Sequence, residues 1–299
     1  MTKKLAGMHV ALLTGFSDQG EFDAKRQENI LEYVLKQNVT GLYVGGSSGE
    51  GGLMNVQELA IQQEVVRDKA RGSGKQLIAH VGQPSLRESI ALAERAQELG
   101  YDGLSALPPH AYPFSQEEIF EYYRVLAAAT DLPLIVYEVP IRTGRPTPAD
   151  QIAKLLDLPN VAGLKFTSSD MFALSQIQSV RPDATYFFGF DEIIGGAAAL
   201  GVDGGIGTTY NILGNLYTAL FKAVELGEME TLRELQGISQ AYVNDILKTG
   251  VIPGCKATLQ ALGVDCGPAR APFLLRGANP KAIIETAINR PGFQQWLPR

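Results

Sequence analysis

The chain has little of what several common chemistries require. Its 299 residues include only two cysteines, three histidines and one tryptophan. Cys255 and Cys266 are too few for a disulfide framework and lack the paired spacing of a zinc site, so both read as structural and no metal is expected. No apolar run approaches the roughly 18 residues that span a bilayer. The N-terminal stretch MTKKLAGMHVALLTGF starts basic, but its apolar run is short, is broken by His9 and Gly15, and lacks a small-residue cleavage site, which makes the cytoplasm the expected compartment. A net charge of -6 with scattered lysines and arginines argues against nucleic acid or an anionic membrane as partner. Nucleotide-binding fingerprints, linkers, low-complexity segments and exact repeats are absent as well.

What is present is ample core material, with 45% hydrophobic and 19% charged residues, enough for one large domain. Short apolar runs occur at HVALLTGF (9–16), GLYVGG (41–46), QLIAHVG (76–82), GLSALPP (103–109), PLIVYEV (133–139), VAGLKFT (161–167), TYFFGF (185–190) and GGIGTT (204–209). Stretches of helical period separate them, several opening on Ser, Asp or Asn and two closing on Gly, as caps do. Apolar runs that do not alternate suit parallel strands buried on both faces. Eight strand-then-helix units predict a TIM (β/α)8 barrel, with an open doubly wound sheet as the runner-up. After residue 210 the pattern is helical to the end. The expected division is a barrel over 1–230 and a C-terminal helical region over 231–299.

In such a barrel the site forms where the strands end. Those ends hold an unusual share of the hydroxyl, lysine, tyrosine and acidic side chains. Lys165 lies near the end of an apolar run, where an ammonium has to be ion-paired, turned to solvent, or held partly neutral by burial. The last state makes it an amine able to form an imine with a ketone. Tyr137, near the end of the preceding run, is placed to shuttle protons beside it. GGSSGEGG (45–52) is a strand-to-helix turn whose hydroxyls and N–H groups suit a carboxylate. Together the three describe a pocket for a small-molecule 2-oxo acid. His80 closes the third run and reads as a core or mouth histidine.

GLYVGGSSGE, YEVPIRTG, GLKFT, GFDEII and GGIGTTYN resemble, in order and spacing, the N-acetylneuraminate lyase and dihydrodipicolinate synthase superfamily of class I aldolases, and the resemblance covers essentially the whole chain. It implies a homotetramer of barrels without a cofactor, pyruvate held as an imine on Lys165, Tyr137 as proton shuttle, and Ser47 and Ser48 on the pyruvate carboxylate. GFDEII and GGIGTTYN look like the sialic acid lyase branch. That branch implies sugar contacts at Thr167, Gly189, Asp191, Glu192, Gly207 and Thr208 and reversible cleavage of N-acetylneuraminate to pyruvate and N-acetylmannosamine. Asp191 and Glu192 have a plainer alternative as charges at a helix N-terminus.

Two departures keep neighbouring activities open. YEVPIRTG places Arg142 where the synthase branch binds a second carboxylate, although Glu138 stands where that branch usually has Asn. LPPHAYPFS places Ala111 where a proton-relaying tyrosine is common, leaving His110 or Tyr112 as substitutes. The alternatives are therefore a dihydrodipicolinate synthase, another pyruvate-dependent aldolase or dehydratase of sugar acids, or a binding protein without turnover.

Overall fold

Each apolar run becomes a short strand, and no strand shows a polar outer face because both faces are covered. In the computed structural model, which describes residues 5–299, the strands are β1 (Gly7–Ala11), β2 (Gly41–Val44), β3 (Gln76–His80), β4 (Gly103–Ala106), β5 (Leu134–Glu138), β6 (Val161–Phe166), β7 (Thr185–Phe188) and β8 (Gly204–Gly207). They form a closed parallel barrel in sequence order, with β8 paired to β1. This is the TIM barrel, and the open sheet is excluded by that closure. Ala11, Tyr43, Ile78, Ile135, Phe187 and Ile206 pack together inside. Val10, Leu42, Leu77, Leu104, Val136, Leu164 and Phe188 join the larger core between strands and helices.

The helices are α1 (Ala24–Val34), α2 (Val56–Ala70), α3 (Leu86–Glu98), α4 (Gln116–Ala127), α5 (Pro140–Thr143), α6 (Ala149–Leu156), α7 (Met171–Val180), α8 (Ile194–Ala199), α9 (Tyr210–Glu225), α10 (Met229–Thr249), α11 (Val251–Ala261) and α12 (Pro280–Ile288). Asp23, Asn55, Ser85 and Ser115 each accept a backbone N–H from the first turn of the following helix, and Asn55 with Glu58 and Ser115 with Glu118 form reciprocal capping boxes. No helix among the described residues is long and apolar enough to cross a membrane.

The run 9–16 is shorter as a strand than its composition suggests. Leu12 still donates to the Tyr43 carbonyl (2.9 Å), but Leu13 N–H turns to the Asn211 side chain (3.0 Å), which also donates to the carbonyls of Ala11 (2.8 Å) and Thr208 (2.7 Å). A side chain 198 residues further along the chain, just after the neighbouring strand β8, thus ends β1 and locks its exit loop to that of β8. The start of α9 is itself kinked at Leu213. The Gln37 amide spans the break, donating to the carbonyls of Tyr210 (3.0 Å) and Asn211 (3.1 Å) and accepting from Gly214 N–H (2.5 Å).

His9 is fully buried inside the barrel, where Gly41 leaves room for its ring. Burial pushes its pKa from 6.5 down to about 4. The unfolded chain therefore takes up a proton between those values that the native state refuses, and the stability lent by neutral His9 is present above pH 6.5 and lost as pH falls through 4. Replacing it by a side chain uncharged at every pH (His9→Gln) is expected to remove about 3 kcal/mol of the acid-induced loss between pH 6.5 and 4. Urea unfolding of both proteins across that range measures the difference, and parallel curves would contradict it.

Candidate active site

Strand register brings the first pair together. Tyr137 on β5 lies directly beside Lys165 on β6, and Lys165 beside Phe187 on β7. Lys165 is 4% exposed and makes no ion pair among the described residues. Its Nζ lies 4.0 Å from the centre of the Tyr137 ring and 4.2 Å from that of Tyr43. Burial drives the amine pKa below its usual value, Tyr137 and Asp191 partly oppose that, and Arg142 adds to it. Burial alone would raise the Tyr137 phenol, but the positive charges of Lys165 and Arg142 lead the effects that outweigh it and bring the phenol below 10. The amine and the phenol beside it are thus both shifted down from their usual ranges, and the strand register keeps them adjacent.

Ser47 and Ser48 sit half-buried in the turn after β2, and Ser48 Oγ meets Thr208 Oγ1 at 2.6 Å, which joins the exits of β2 and β8. The turn is tight enough that a side chain at Gly51 would meet the Gly45 carbonyl at 2.1 Å. Glu50 within it adopts a left-handed backbone (φ 59°), uncommon for a residue with a side chain. Its buried carboxylate holds it there: Lys256 Nζ lies 2.9 Å away and Arg270 N–H donates to it at 2.7 Å. Lys256 donates also to the Pro268 carbonyl (2.8 Å), and the Arg270 guanidinium is paired with Glu58. The segments α11 and 265–272 thereby fix the serine turn.

Asp191 opens a short 3-10 turn after β7 without capping it. Instead its Oδ2 accepts Thr209 N–H (2.8 Å) and Thr209 Oγ1–H (2.6 Å). Tyr217 OH stands 2.5 Å from Thr209 Oγ1, to which it donates, and 2.8 Å from Ser239 Oγ, while Ser239 donates to the Asp191 carbonyl (3.1 Å), so a chain of hydroxyls on α9 and α10 encloses Asp191. Gln240 holds the Glu192 carbonyl at 3.0 Å, leaving the half-buried Glu192 carboxylate free of that task. Burial raises the Asp191 carboxyl to about 6 against the pull of Thr209.

Two buried oxygens, Asp191 Oδ1 and Thr167 Oγ1, have no hydrogen-bonding partner. They occupy the space that the missing side chains of Gly207 and Gly189 leave, since a Cβ there would stand 2.1 Å and 1.9 Å away respectively. Buried oxygens without partners are costly unless a ligand supplies them.

Other candidates lie further out. Arg142 is exposed on α5, makes no ion pair among the described residues, and is close enough to lower the pKa values of Lys165 and His80. His110 and Tyr112 line a rim cleft of about 390 Å³ between loops 108–114 and 143–147 that includes neither Lys165 nor Tyr137. Tyr112 is 73% exposed and meets Phe114 edge-on at 5.9 Å. Glu138, next to inward Tyr137 at the end of β5, accepts from Thr147 N–H (2.9 Å) and Oγ1–H (2.8 Å), so it anchors the loop that follows α5 rather than acting on Tyr137. Tyr43 was not singled out in the sequence. Its two-residue spacing from Gly41 on an inward face is the signal that places it, and reading that signal requires the barrel register. Among the described residues no three His, Cys, Asp or Glu side chains converge as for a metal.

A buried, unpaired lysine beside a phenol at the mouth of a (β/α)8 barrel, facing a hydroxyl-rich turn, defines a barrel enzyme site built around an amine. The Dihydrodipicolinate synthetase family matches residues 4–289, and the chain belongs to that family. It is 41% identical to the N-acetylneuraminate lyase of Rhizobium meliloti over 270 residues, 90% of each chain. With that of an Enterobacter species it shares 40% over 275 residues, 91% of this chain and 92% of the other. The structure of CdNal from Clostridium difficile in complex with mannosamine superposes with a TM-score of 0.93 at 31% identity, covering 99% of this chain and 100% of that one. The N-acetylneuraminate lyase of Fusobacterium nucleatum complexed with pyruvate gives 0.89 at 31%, covering 98% and 97%.

The buried Glu50–Lys256 pair yields a stability test. Lys256→Met strands the Glu50 carboxylate and is expected to lower the unfolding free energy by about 3–5 kcal/mol. Adding Glu50→Gln should recover much of that in denaturant titrations. A double variant as unstable as the single one would contradict the pairing.

Proposed function

We propose that this protein is a class I aldolase that cleaves N-acetylneuraminate reversibly to pyruvate and N-acetylmannosamine. One observation carries the reading: the Lys165 amine is buried, without a counter-ion, between the rings of Tyr137 and Tyr43. A neutral fraction of amine follows from that environment, and an imine follows from a neutral amine meeting a ketone. Kinship with lyases at about 40% identity selects the substrate.

In this mechanism Lys165 Nζ attacks C2 of the open-chain 2-oxo acid, whose carboxylate rests on Ser47 and Ser48. Tyr137 delivers the proton with which the C2 oxygen leaves as water, giving a cationic imine. The C4 hydroxyl then gives up its proton, the C3–C4 bond breaks, and its electron pair moves into the new C2–C3 enamine while C4 becomes the aldehyde. Tyr137, with the substrate carboxylate, is the base. Protonation of C3 and attack of water on the pyruvate imine restore the amine, so the covalent imine replaces any cofactor. The free oxygens of Asp191 and Thr167, with Glu192 and Thr208, accept or donate hydrogen bonds along the sugar chain. His110 and Tyr112 contribute from the rim of the mouth. The same reading carries a cytoplasmic homotetramer, which size-exclusion chromatography with light scattering measures.

Lys165→Arg keeps the charge and removes the nucleophile, so pyruvate release from N-acetylneuraminate in a coupled assay should fall at least about a thousandfold. Activity within a few fold of the unaltered enzyme would exclude the reading. Asp191 adds a pH signature. With its carboxyl raised to about 6, kcat/KM should decline below that pH as the acceptor is protonated. Asp191→Asn should lower activity and flatten that acidic limb; an unchanged limb would assign it to another group.

The unpaired Arg142 favours a second reading, an aldehyde partner bearing its own carboxylate. Under it, Arg142→Ala weakens turnover of a carboxylate-bearing aldehyde with pyruvate by tenfold or more, an effect of about 1.4 kcal/mol or above. Under the lyase reading the same change alters KM for N-acetylmannosamine by less than about threefold.

A further inference from the structure

We infer that Tyr43 is a further catalytic residue: the face of its ring binds the positive charge of the Lys165 nitrogen and fixes how easily that charge forms and discharges. The inference rests on the imine-forming role of Lys165 and adds a residue to it.

The geometry is specific. Tyr43 projects into the barrel from β2, level with Ala11 on β1 and Ile78 on β3. It is fully buried, and Lys165 Nζ stands over its ring at 4.2 Å from the centre, on the face where the π-electron density lies. The Tyr137 ring offers a second face at 4.0 Å, and the two rings meet at 85° with centres 6.5 Å apart, so the nitrogen sits in a corner between them. Such a corner attracts a cation without providing an anion. It therefore favours a positive nitrogen over a neutral one but leaves no carboxylate salt to be broken before the amine reacts.

The ring is held in place. The Tyr43 hydroxyl donates to Ser105 Oγ (3.0 Å) and pairs with His80 Nδ1 (2.9 Å), both on neighbouring inward positions. Burial and the nearby cationic Lys165 keep His80 neutral well below physiological pH, with its pKa lowered to about 3, so no second cation competes at the site. Burial likewise keeps the Tyr43 phenol protonated. The plainer role of a buried tyrosine is to fill the barrel, and Phe187 and Ile206 do that nearby. Filling does not require an aromatic face turned toward the nitrogen.

The charge history of the nitrogen says where Tyr43 acts. The nitrogen is positive in the ammonium and in the cationic imine, and neutral in the free amine, the carbinolamine and the enamine. A ring face in contact with it therefore raises the amine pKa and increases the share of bound 2-oxo acid present as cationic imine. The other charged or titratable groups facing it are Tyr137, Asp191 and Arg142, and all three stay unchanged in the comparison below.

The test compares Tyr43→Phe, which keeps the face and loses the hydroxyl, with Tyr43→Leu, which loses the face. Competitive acetylation of Lys165 across pH, followed by peptide mass spectrometry, reads its pKa whether or not an imine forms. Tyr43→Phe should leave that pKa within a few tenths of a unit, and Tyr43→Leu should lower it by about one unit. In parallel, at a pH above the Lys165 pKa, where the competing amine and carbinolamine are neutral, the fraction of enzyme trapped with pyruvate by borohydride should fall about tenfold in Tyr43→Leu and stay unchanged in Tyr43→Phe. A leucine leaves space for the barrel to repack, so trifluorophenylalanine at position 43 provides a ring of nearly the same shape with a weakened face, and it should fall between the two. Equal pKa values for the leucine, phenylalanine and fluorinated variants would overturn the role of Tyr43. A shifted pKa with no pyruvate adduct in any variant, the unaltered protein included, would instead overturn the imine reading and leave the contact standing.

Discussion

The site depends on one constraint: an amine has been taken out of water without being given a carboxylate. Lys165 is buried on an inward strand position between two aromatic faces, with the Tyr137 hydroxyl rather than a carboxylate beside it. A direct carboxylate partner would have made the burial easier and the amine inert. Rings stabilise the cation more weakly than an ion pair in a dry site, so a reactive fraction of neutral amine remains. Tyr137 beside it is itself more acidic than a free phenol.

Around that nitrogen the walls are fixed by chain that lies outside the barrel. The serine turn after β2 keeps its left-handed Glu50 because Lys256 of α11 and the backbone of Arg270 meet the carboxylate. The turn after β7 keeps its shape because Ser239, Gln236 and Gln240 of α10 hold the carbonyls of Asp191 and Glu192. The C-terminal helices therefore position groups on both sides of the mouth. Asn211 ties the β1 and β8 exits together in the same way from the kinked start of α9. What these contacts leave open, the free oxygens of Asp191 and Thr167, is what a polyhydroxylated substrate can fill.

Much of this was legible in the sequence because its signals are local. Eight apolar runs without alternation, separated by capped helical stretches, specify a parallel barrel, and strand ends specify its mouth. Lys165 stood out because a charged residue on such a strand is conspicuous, and Tyr137 because it ends the preceding run and so falls beside it. Long-range contacts were less legible. Nothing near residue 13 announces that Asn211 will end β1, and the partner of Glu50 lies more than two hundred residues away. Tyr43 stayed hidden because a tyrosine in an apolar strand looks like core until the register shows which face it presents. At Gly189 and Gly207 a side chain would collide with the oxygens of Thr167 and Asp191, a constraint between strand ends that the sequence does not display. Glu138, a departure from the related pattern, belongs to the loop anchor at Thr147.

The measurement that bears most directly on this account is borohydride reduction of the protein in the presence of N-acetylneuraminate, with pyruvate in a parallel sample, followed by mass spectrometry of the peptide containing residue 165. The account requires the same pyruvate-sized adduct on Lys165 in both samples, since cleavage of the sugar acid leaves pyruvate on the enzyme. An unmodified Lys165 in both would contradict it, whatever else the protein binds.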